Sequence, residues 1–144
     1  MAERDPDCVF CAIVAGELEA EVVHDDDVAV AFLDNRPLFH GHVLLVPRDH
    51  HETIEDLPEE LVGPLFSRAR RLARAVRESM GAQGTFVAMN NVVSQSVPHL
   101  HVHVVPRVRK DGLRGFFWPR RKYEAPEEMR AAGEAIRGAL GARD

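Results

Sequence analysis

The fold is decided by residues 98–106, whose sequence is PHLHVHVVP. Polar and apolar residues alternate along this stretch, and side chains on a β-strand point alternately to opposite faces of the sheet. A strand here places three histidines on one face and Leu100, Val102 and Val104 on the other. The alternative is an exposed polar face that happens to use histidine. Three histidines within five positions are far outside ordinary usage, which disfavours that alternative.

The outer two of these histidines are too far apart to share one metal ion easily. At roughly 3.3 Å per residue, the α-carbons of His99 and His103 lie ~13 Å apart, whereas a zinc–nitrogen bond is only about 2.0–2.1 Å long. A neutral imidazole is instead a competent nucleophile toward phosphorus, because its unperturbed pKa of about 6.5 leaves one ring nitrogen free at pH 7. A neighbouring histidine can donate a proton to the leaving group.

Strands and helices are predicted on both sides of this stretch. Apolar residues at spacings of three and four predict a helix from Pro58 to Gly81, in which Pro64 is expected to disturb the first turns. A weaker helix is predicted from residue 126 to about residue 140. Short apolar or alternating runs bounded by turn residues indicate strands at residues 21–24, 28–33, 42–47, 85–90 and 100–106. The pattern is typical of an α+β fold with a mostly antiparallel sheet.

Length and composition indicate one globular domain over residues 1–144. The chain has 144 residues, of which 45% are hydrophobic and 28% charged, as in ordinary globular proteins. Its longest apolar run, residues 28–33, is too short to span a bilayer, so no membrane partner is expected. Residues 1–5 do not resemble a secretory signal, and a cytoplasmic location is expected.

The charges are distributed unevenly along the chain. Residues 1–60 carry 16 acids and 3 bases, whereas residues 68–122 carry 12 bases and two acids. This asymmetry suits a small anionic ligand, although the bases in residues 68–77 are explained more simply as the solvated face of a helix. The net charge of −5 argues against nucleic-acid binding through a cationic surface.

The chain has two cysteines, in the arrangement Cys8-x-x-Cys11. This spacing is a common half of a Cys₂His₂ zinc site. Two cysteines in a chain without a secretory signal are more typical of thiols or metal ligands than of a disulfide.

Several segments together resemble the histidine triad (HIT) superfamily of nucleotide hydrolases and transferases. Residues 99–105, HLHVHVV, match its signature His-φ-His-φ-His-φ-φ, in which φ is apolar. Residues 8–17, 31–37 and 41–50 are similar, in the same order, to the opening of the family, its base-and-ribose segment and its second strand. The resemblance implies a five-stranded antiparallel sheet with two helices, paired into a dimer that joins two sheets. It implies a core over about residues 8–107, followed by a C-terminal loop and helix over residues 108–144.

The resemblance implies cleavage of a nucleotide at its α-phosphorus through a covalent histidine intermediate. His101 is implied as the nucleophile, and His103 as the residue at the bridging or leaving atom. A histidine rather than a glutamine at position 103 indicates a hydrolase. His42 is implied to lie near the nucleophile, either orienting the cleft or serving as an ordinary strand-end histidine.

The implied substrate is a purine dinucleotide, namely a dinucleoside polyphosphate such as diadenosine tetraphosphate. The alternatives are a purine nucleoside phosphoramidate and a nucleotide-binding module without catalysis. By resemblance, Asp34 binds the ribose hydroxyls. The apolar residues around the base are Phe10, Ile13, Phe32 and Leu38, with plain core packing as their alternative. The phosphate-contacting residues are Asn90, Gln95 and Ser96, with Asn91 as the alternative to Asn90 because the loop is shorter than in many members.

The resemblance also completes the zinc half-site. In some members a structural zinc is bound by such a cysteine pair, a histidine after the second strand and the first triad histidine. Here these ligands are Cys8, Cys11, His50 and His99, with His51 as the alternative to His50. No organic cofactor is expected. The pair Trp118-Pro119 is loosely similar to a C-terminal segment that, in phosphoramidase members, reaches a partner subunit's active site, and the alternative is a surface loop.

Overall fold

A computed structural model of the chain describes residues 4–114 and 120–141. The chain divides into two compact units, Met1–Asp111 and Gly112–Asp144. Trp118 and Pro119, for which a role at a partner's site was predicted, lie outside the described residues. Within the described parts of the chain, no helix combines the length and apolar character needed to cross a membrane.

The first unit is built on a five-stranded antiparallel sheet. Its strands are β1 Val22–Asp25, β2 Ala29–Leu33, β3 Val43–Pro47, β4 Gly84–Ala88 and β5 Val102–Arg107. They lie in the order β1-β2-β3-β5-β4, and every neighbouring pair is antiparallel. The sheet and the α+β class are therefore confirmed.

The described residues hold one α-helix more than the two helices that were predicted, and a 3-10 helix at Ile54–Asp56. Helix α2, Glu59–Ser79, runs through Pro64 as one element, and helix α3, Pro126–Gly141, belongs to the second unit. The addition is α1, Val9–Val14, which at six residues is too short to show a helical repeat in the sequence. The Cys8 side chain caps it by accepting a hydrogen bond from the N–H of Cys11.

Strand β5 begins two residues later than predicted, so only the third histidine lies within it. The N–H of Leu100 donates to the carbonyl of His51 at 2.7 Å, outside the sheet ladder. His99 and His101 therefore lie in the segment that leads into the strand, before its first residue. The predicted apolar face is confirmed, since Leu100, Val102 and Val104 are all fully buried.

The sheet is covered differently on its two faces. On one face, the 21-residue α2 packs against Ala29, Ala31, Val43, Leu45, Val102 and Val104. On the other face, the short α1 packs against Val30, Phe32, Leu44 and Val46. Successive residues of β2 and β3 pack alternately into the apolar clusters on the two faces of the sheet. Both strands are therefore continuous apolar runs in the sequence. His103 alternates with Val102 and Val104, so it lies on the face that the short α1 covers.

Candidate active site and metal centre

The backbone holds the central histidine in one tautomer. His101 is 3% exposed, and its Nδ1 lies 2.8 Å from the carbonyl oxygen of His99. A carbonyl oxygen can only accept a hydrogen bond, so Nδ1 carries the hydrogen in the neutral ring. The lone pair is consequently on Nε2, which leaves His101 with a nucleophilic nitrogen.

A second backbone group sets the tautomers of His42 and His103. The N–H of Leu38 donates to Nδ1 of His42 at 3.1 Å. In the neutral ring, Nε2 of His42 therefore carries the hydrogen and donates it to Nδ1 of His103 at 2.9 Å. His103 must then carry its own hydrogen on Nε2. His101 and His103 thus offer opposite groups: a lone pair on the first and an N–H donor on the second.

Burial keeps the rings of His42 and His103 neutral. Burial, together with the charge that the neighbouring His101 and His42 would carry, lowers the pKa of His103 to about 4, against an opposing effect of Asp34. Burial also lowers the pKa of His42, against an opposing effect of Asp34. Both rings are therefore uncharged at neutral pH, as the hydrogen-bond chain requires.

The turn before β3 brings His42 into the site. Gly41 has a φ of +95°, in the left-handed region that favours glycine. A Cβ added at this position would lie 2.6 Å from Cγ of Met80. The approach of His42 to His103 thus depends on a glycine directly before it.

Asp34, His42 and His103 lie close enough together to share a metal ion. Asp34 Oδ2 is 3.8 Å from His42 Nε2. A metal on Nε2 of His42 would move the ring hydrogen to Nδ1, where it would face the N–H of Leu38. The cluster is better explained as the hydrogen-bonded histidine pair with a carboxylate beside it.

A cavity of about 810 Å³ opens beside these groups and is large enough for a nucleotide. It is lined by both His101 and His103. Five of the predicted nucleotide-binding residues also line it, namely Phe10, Ile13, Phe32, Asp34 and Ser96. The sequence interpretation missed other lining residues, including Leu18 and Arg36; the position of Arg36, two residues after Asp34, was the available signal.

Leu38, Asn90 and Gln95 are not in the cavity lining. The side chain of Leu38 is 53% exposed, and the residue acts on the site through its backbone N–H. Gln95 donates from Nε2 to the carbonyl of Glu52 at 2.6 Å and accepts the N–H of Val92 at 2.9 Å.

The two candidate asparagines, Asn90 and Asn91, each make a hydrogen bond in the structure. Asn90 donates to the carbonyl of Ser94 at 3.2 Å, and Asn91 accepts the N–H of Ile54 at 2.8 Å. These contacts hold the loop before His99. Any phosphate contact by Asn90, Asn91 or Gln95 remains a prediction.

The four predicted metal ligands meet at one point. The ligand atoms of Cys8, Cys11, His50 and His99 all lie within 4.8 Å of one another. His99 Nδ1 is 3.4 Å from Cys8 Sγ and 3.5 Å from Cys11 Sγ, and His50 Nδ1 is 3.3 Å from Cys11 Sγ. Tetrahedral zinc with bonds of about 2.0–2.3 Å needs ligand separations of roughly 3.3–3.8 Å. The donor set and its spacing therefore fit zinc.

Hydrogen bonds around this cluster also suit a metal. The carbonyl of Pro47 accepts a hydrogen bond from Nε2 of the fully buried His99 at 3.0 Å, which leaves a lone pair on Nδ1 facing the sulfurs. Burial lowers the pKa of His99 to about 4, so the ring is neutral. The sulfurs accept the N–H groups of Cys11 and Asp5. The alternative ligand His51 is not in the cluster, and its Nε2 is buried with no partner among the described residues.

Comparison with known proteins gives the family. A family model described as the HIT domain matches residues 15–110. The chain therefore belongs to the HIT domain family, and its residues 99–105 are the histidine triad of that family.

Two relatives and one solved structure bear on the site. Adenylylsulfatase HINT3 of Arabidopsis thaliana is 34% identical over 109 residues, which cover 74% of this chain; the chain thus spans about half, 55%, of that relative's length. Adenosine 5'-monophosphoramidase hnt1 of Schizosaccharomyces pombe is 30% identical over 131 residues, 90% of this chain and 95% of that protein. The crystal structure of a Zn-bound histidine triad family protein from Mycobacterium smegmatis is 36% identical, with a TM-score of 0.71, and the match covers 92% of this chain and 97% of that one.

Proposed function

We propose that this protein is a nucleotide hydrolase that cleaves at the α-phosphorus through a covalent nucleotidyl intermediate on His101. The observation that carries the proposal is the pair of complementary tautomers at one cavity, with a lone pair on Nε2 of His101 and an N–H on Nε2 of His103. A nucleophile and a donor to the leaving atom are what such a displacement needs.

The reaction consists of two displacements at phosphorus. In the first, Nε2 of His101 attacks the α-phosphorus, and the bond to the leaving atom breaks. The N–H of His103 donates a hydrogen bond to that atom as it gains charge. In the second, water attacks the phosphorus and the phosphorus–nitrogen bond breaks; its electron pair returns to Nε2 of His101, and the proton that the water loses passes to solvent. In this scheme Asp34 binds the ribose and the apolar residues of the cavity bind the base.

The substrate we propose first is a dinucleoside polyphosphate such as diadenosine tetraphosphate, because a neutral imidazole N–H suits a phosphate leaving group that needs little protonation. A purine nucleoside phosphoramidate is the second candidate, supported by the monophosphoramidase relative from Schizosaccharomyces pombe. A module that only binds nucleotides would have no need for the two complementary tautomers. Parallel assays with diadenosine tetraphosphate and adenosine 5'-monophosphoramidate separate these candidates.

The stereochemistry at phosphorus tests the mechanism itself. Each in-line displacement inverts configuration, so a covalent histidine intermediate gives net retention. Direct attack by water is one displacement and gives inversion. A substrate made chiral at the α-phosphorus with sulfur and oxygen isotopes distinguishes the two outcomes. Inversion would eliminate His101 as the nucleophile.

We propose that Cys8, Cys11, His50 and His99 bind one structural zinc. Zinc, when bound there, supplies a cross-link between the start of α1 and residues 50 and 99. Protein purified without added metal should contain about one zinc per chain, and Cys8→Ser should contain substantially less. Absence of zinc after expression in zinc-replete medium would refute the assignment.

We also propose a cytoplasmic homodimer. The sheet has two edges, β1 and β4, either of which can pair with a second copy. Analytical ultracentrifugation should give a molecular mass twice that of one chain. A single-chain mass at micromolar concentration would contradict the dimer and leave the catalytic proposal unaffected.

A further inference from the structure

We infer that the metal centre and the nucleotide pocket are coupled through α1, so that zinc raises the affinity for nucleotide and nucleotide raises the affinity for zinc. The inference rests on the proposed function and adds a means of regulation to the same site. It assigns Phe10 as the positioning residue that joins the two sites.

Helix α1 belongs to both sites. Cys8 caps its first turn, and Cys11 lies within it, so the helix carries two of the four metal ligands. Three of its six residues, Val9, Phe10 and Ile13, line the cavity. A helix of six residues is not stable by itself. Its position therefore depends on what its ends and its buried face contact.

Phe10 transmits the position of α1 to the nucleophile. It lies between the two cysteine ligands in the sequence and is 7% exposed. Its ring packs edge-on against His101, with centroids 5.0 Å apart at 81°, and against Phe32 at 5.4 Å. A displacement of α1 therefore moves a wall of the cavity and the packing around His101 together.

His99 provides a second connection between the sites. Its ring lies in the metal cluster, and its carbonyl oxygen accepts the hydrogen bond from Nδ1 of His101. The residue that closes the metal cluster thus also fixes the tautomer of the nucleophile. Zinc binding to the His99 ring restrains the same backbone that orients His101.

Coupling between two binding sites is reciprocal, and typical values correspond to about 5–150-fold changes in affinity. For these adjoining sites we expect about a tenfold effect. Adenosine monophosphate should bind about tenfold more tightly to the zinc-loaded protein than to the zinc-stripped protein. Saturating adenosine monophosphate should raise the affinity for zinc by the same factor.

Two measurements on the full chain test the coupling. Calorimetric titration gives the affinity for adenosine monophosphate with and without zinc. The equilibrium distribution of zinc between the protein and a chromophoric chelator, with and without saturating adenosine monophosphate, gives the reverse effect, and less zinc should reach the chelator when nucleotide is bound. The second measurement begins from the folded, zinc-loaded protein, so it decides the question even if the stripped protein unfolds.

A pair of variants assigns the coupling to Phe10. Phe10→Ala should still bind zinc, but its weakened nucleotide affinity should change on zinc removal by clearly less than the tenfold of the wild type, and the remaining effect is the part that His99 carries. The matched control is Phe66→Ala, which truncates a phenylalanine of α2 on the opposite face of the sheet. This variant should keep the full zinc effect. An undiminished effect in Phe10→Ala would remove Phe10 from the proposal.

The outcomes separate the coupling from the proposed function. Nucleotide affinity that is equal within twofold with and without zinc, together with an unchanged distribution of zinc between protein and chelator, overturns the coupling alone. A protein that binds no zinc overturns it too. No binding of nucleotide in either metal state contradicts the proposed function itself and removes the coupling with it.

Discussion

At the scale of single residues, two backbone groups set the chemistry of the site. The carbonyl of His99 fixes the tautomer of His101, and the N–H of Leu38 fixes those of His42 and His103. Imidazole can exchange its donor and acceptor nitrogens, so a histidine cluster has no defined chemistry until such contacts choose one arrangement.

Replacement of the nucleophile should separate catalysis from binding. His101→Ala removes the attacking nitrogen and keeps Asp34, Ser96 and the apolar lining, so kcat should fall below a few per cent while nucleotide affinity changes by a small factor. Steady-state kinetics and calorimetry measure the two effects. His40→Ala, at an exposed histidine, is the control. Retention of more than a few per cent of kcat would contradict the nucleophile assignment.

The role of His42 in orienting His103 can be tested by two replacements. His42→Leu removes the donor to His103 and should lower kcat by about 10–100-fold with little change in KM, as for the loss of an orienting partner. His42→Gln keeps an N–H near the position of Nε2 and should recover most of the loss. If both variants lose the same activity, His42 does not act through this hydrogen bond.

At the scale of elements, the carboxylate of Asp26 ties the turn between β1 and β2 to α2. Its Oδ1 accepts the N–H groups of Val28 and Ala29, both at 2.9 Å. Its Oδ2 accepts hydrogen bonds from Arg68 on α2 and from His24, both at 2.7 Å. Burial by itself raises the pKa of Asp26, but these hydrogen bonds outweigh burial and hold the pKa well below its usual range.

Loss of this carboxylate should destabilise the first unit. Asp26→Ala leaves two turn N–H groups and the Nε–H of Arg68 without their acceptor, so the free energy of unfolding should fall by about 2–3 kcal/mol. Urea denaturation measures it. Asp27→Ala, at the exposed neighbouring acid, should change stability by less than about 0.5 kcal/mol. Equal effects of the two variants would show that the contacts of Asp26 are not the cause.

At the scale of the whole molecule, buried neutral histidines make stability depend on pH. The pKa of His103 falls from about 6.5 in the unfolded chain to about 4 in the folded protein. Between these values the unfolded chain binds the extra proton, so stability is fully present above about pH 6.5 and falls as the pH drops toward 4.

This dependence predicts a measurable loss of stability in mild acid. Between pH 7 and pH 5, His103 should contribute a fall of about 2 kcal/mol in the free energy of unfolding. Urea denaturation at both pH values should therefore show a smaller fall for His103→Gln than for the wild type. The other buried histidines are common to both proteins and act as an internal control. Parallel pH profiles for the two proteins would mean that His103 is not held neutral by burial.

The sequence by itself determined the sheet, the family and the chemical types of the site residues. Alternation along residues 98–106 and the apolar runs of β2 and β3 follow from side-chain periodicity, which is a local property of the chain. The cysteine spacing and the triad signature are local as well. The resemblance to the family, rather than the spacing alone, predicted the ligands at positions 8, 11, 50 and 99, with His51 as the alternative to His50, and the structure brings these four together.

Only the tertiary structure decided how these residues act on one another. It placed the N–H of Leu38 on His42, the ring of Phe10 on His101, and His50 rather than His51 beside the cysteines. It also placed the side-chain amide of Gln95 on the carbonyl of Glu52, a contact that holds the loop before His99. These contacts join residues whose relative positions depend on how turns and neighbouring elements pack. Two adjacent histidines have the same chemistry in the sequence, and only the direction of each side chain in the folded chain distinguishes a ligand from its neighbour.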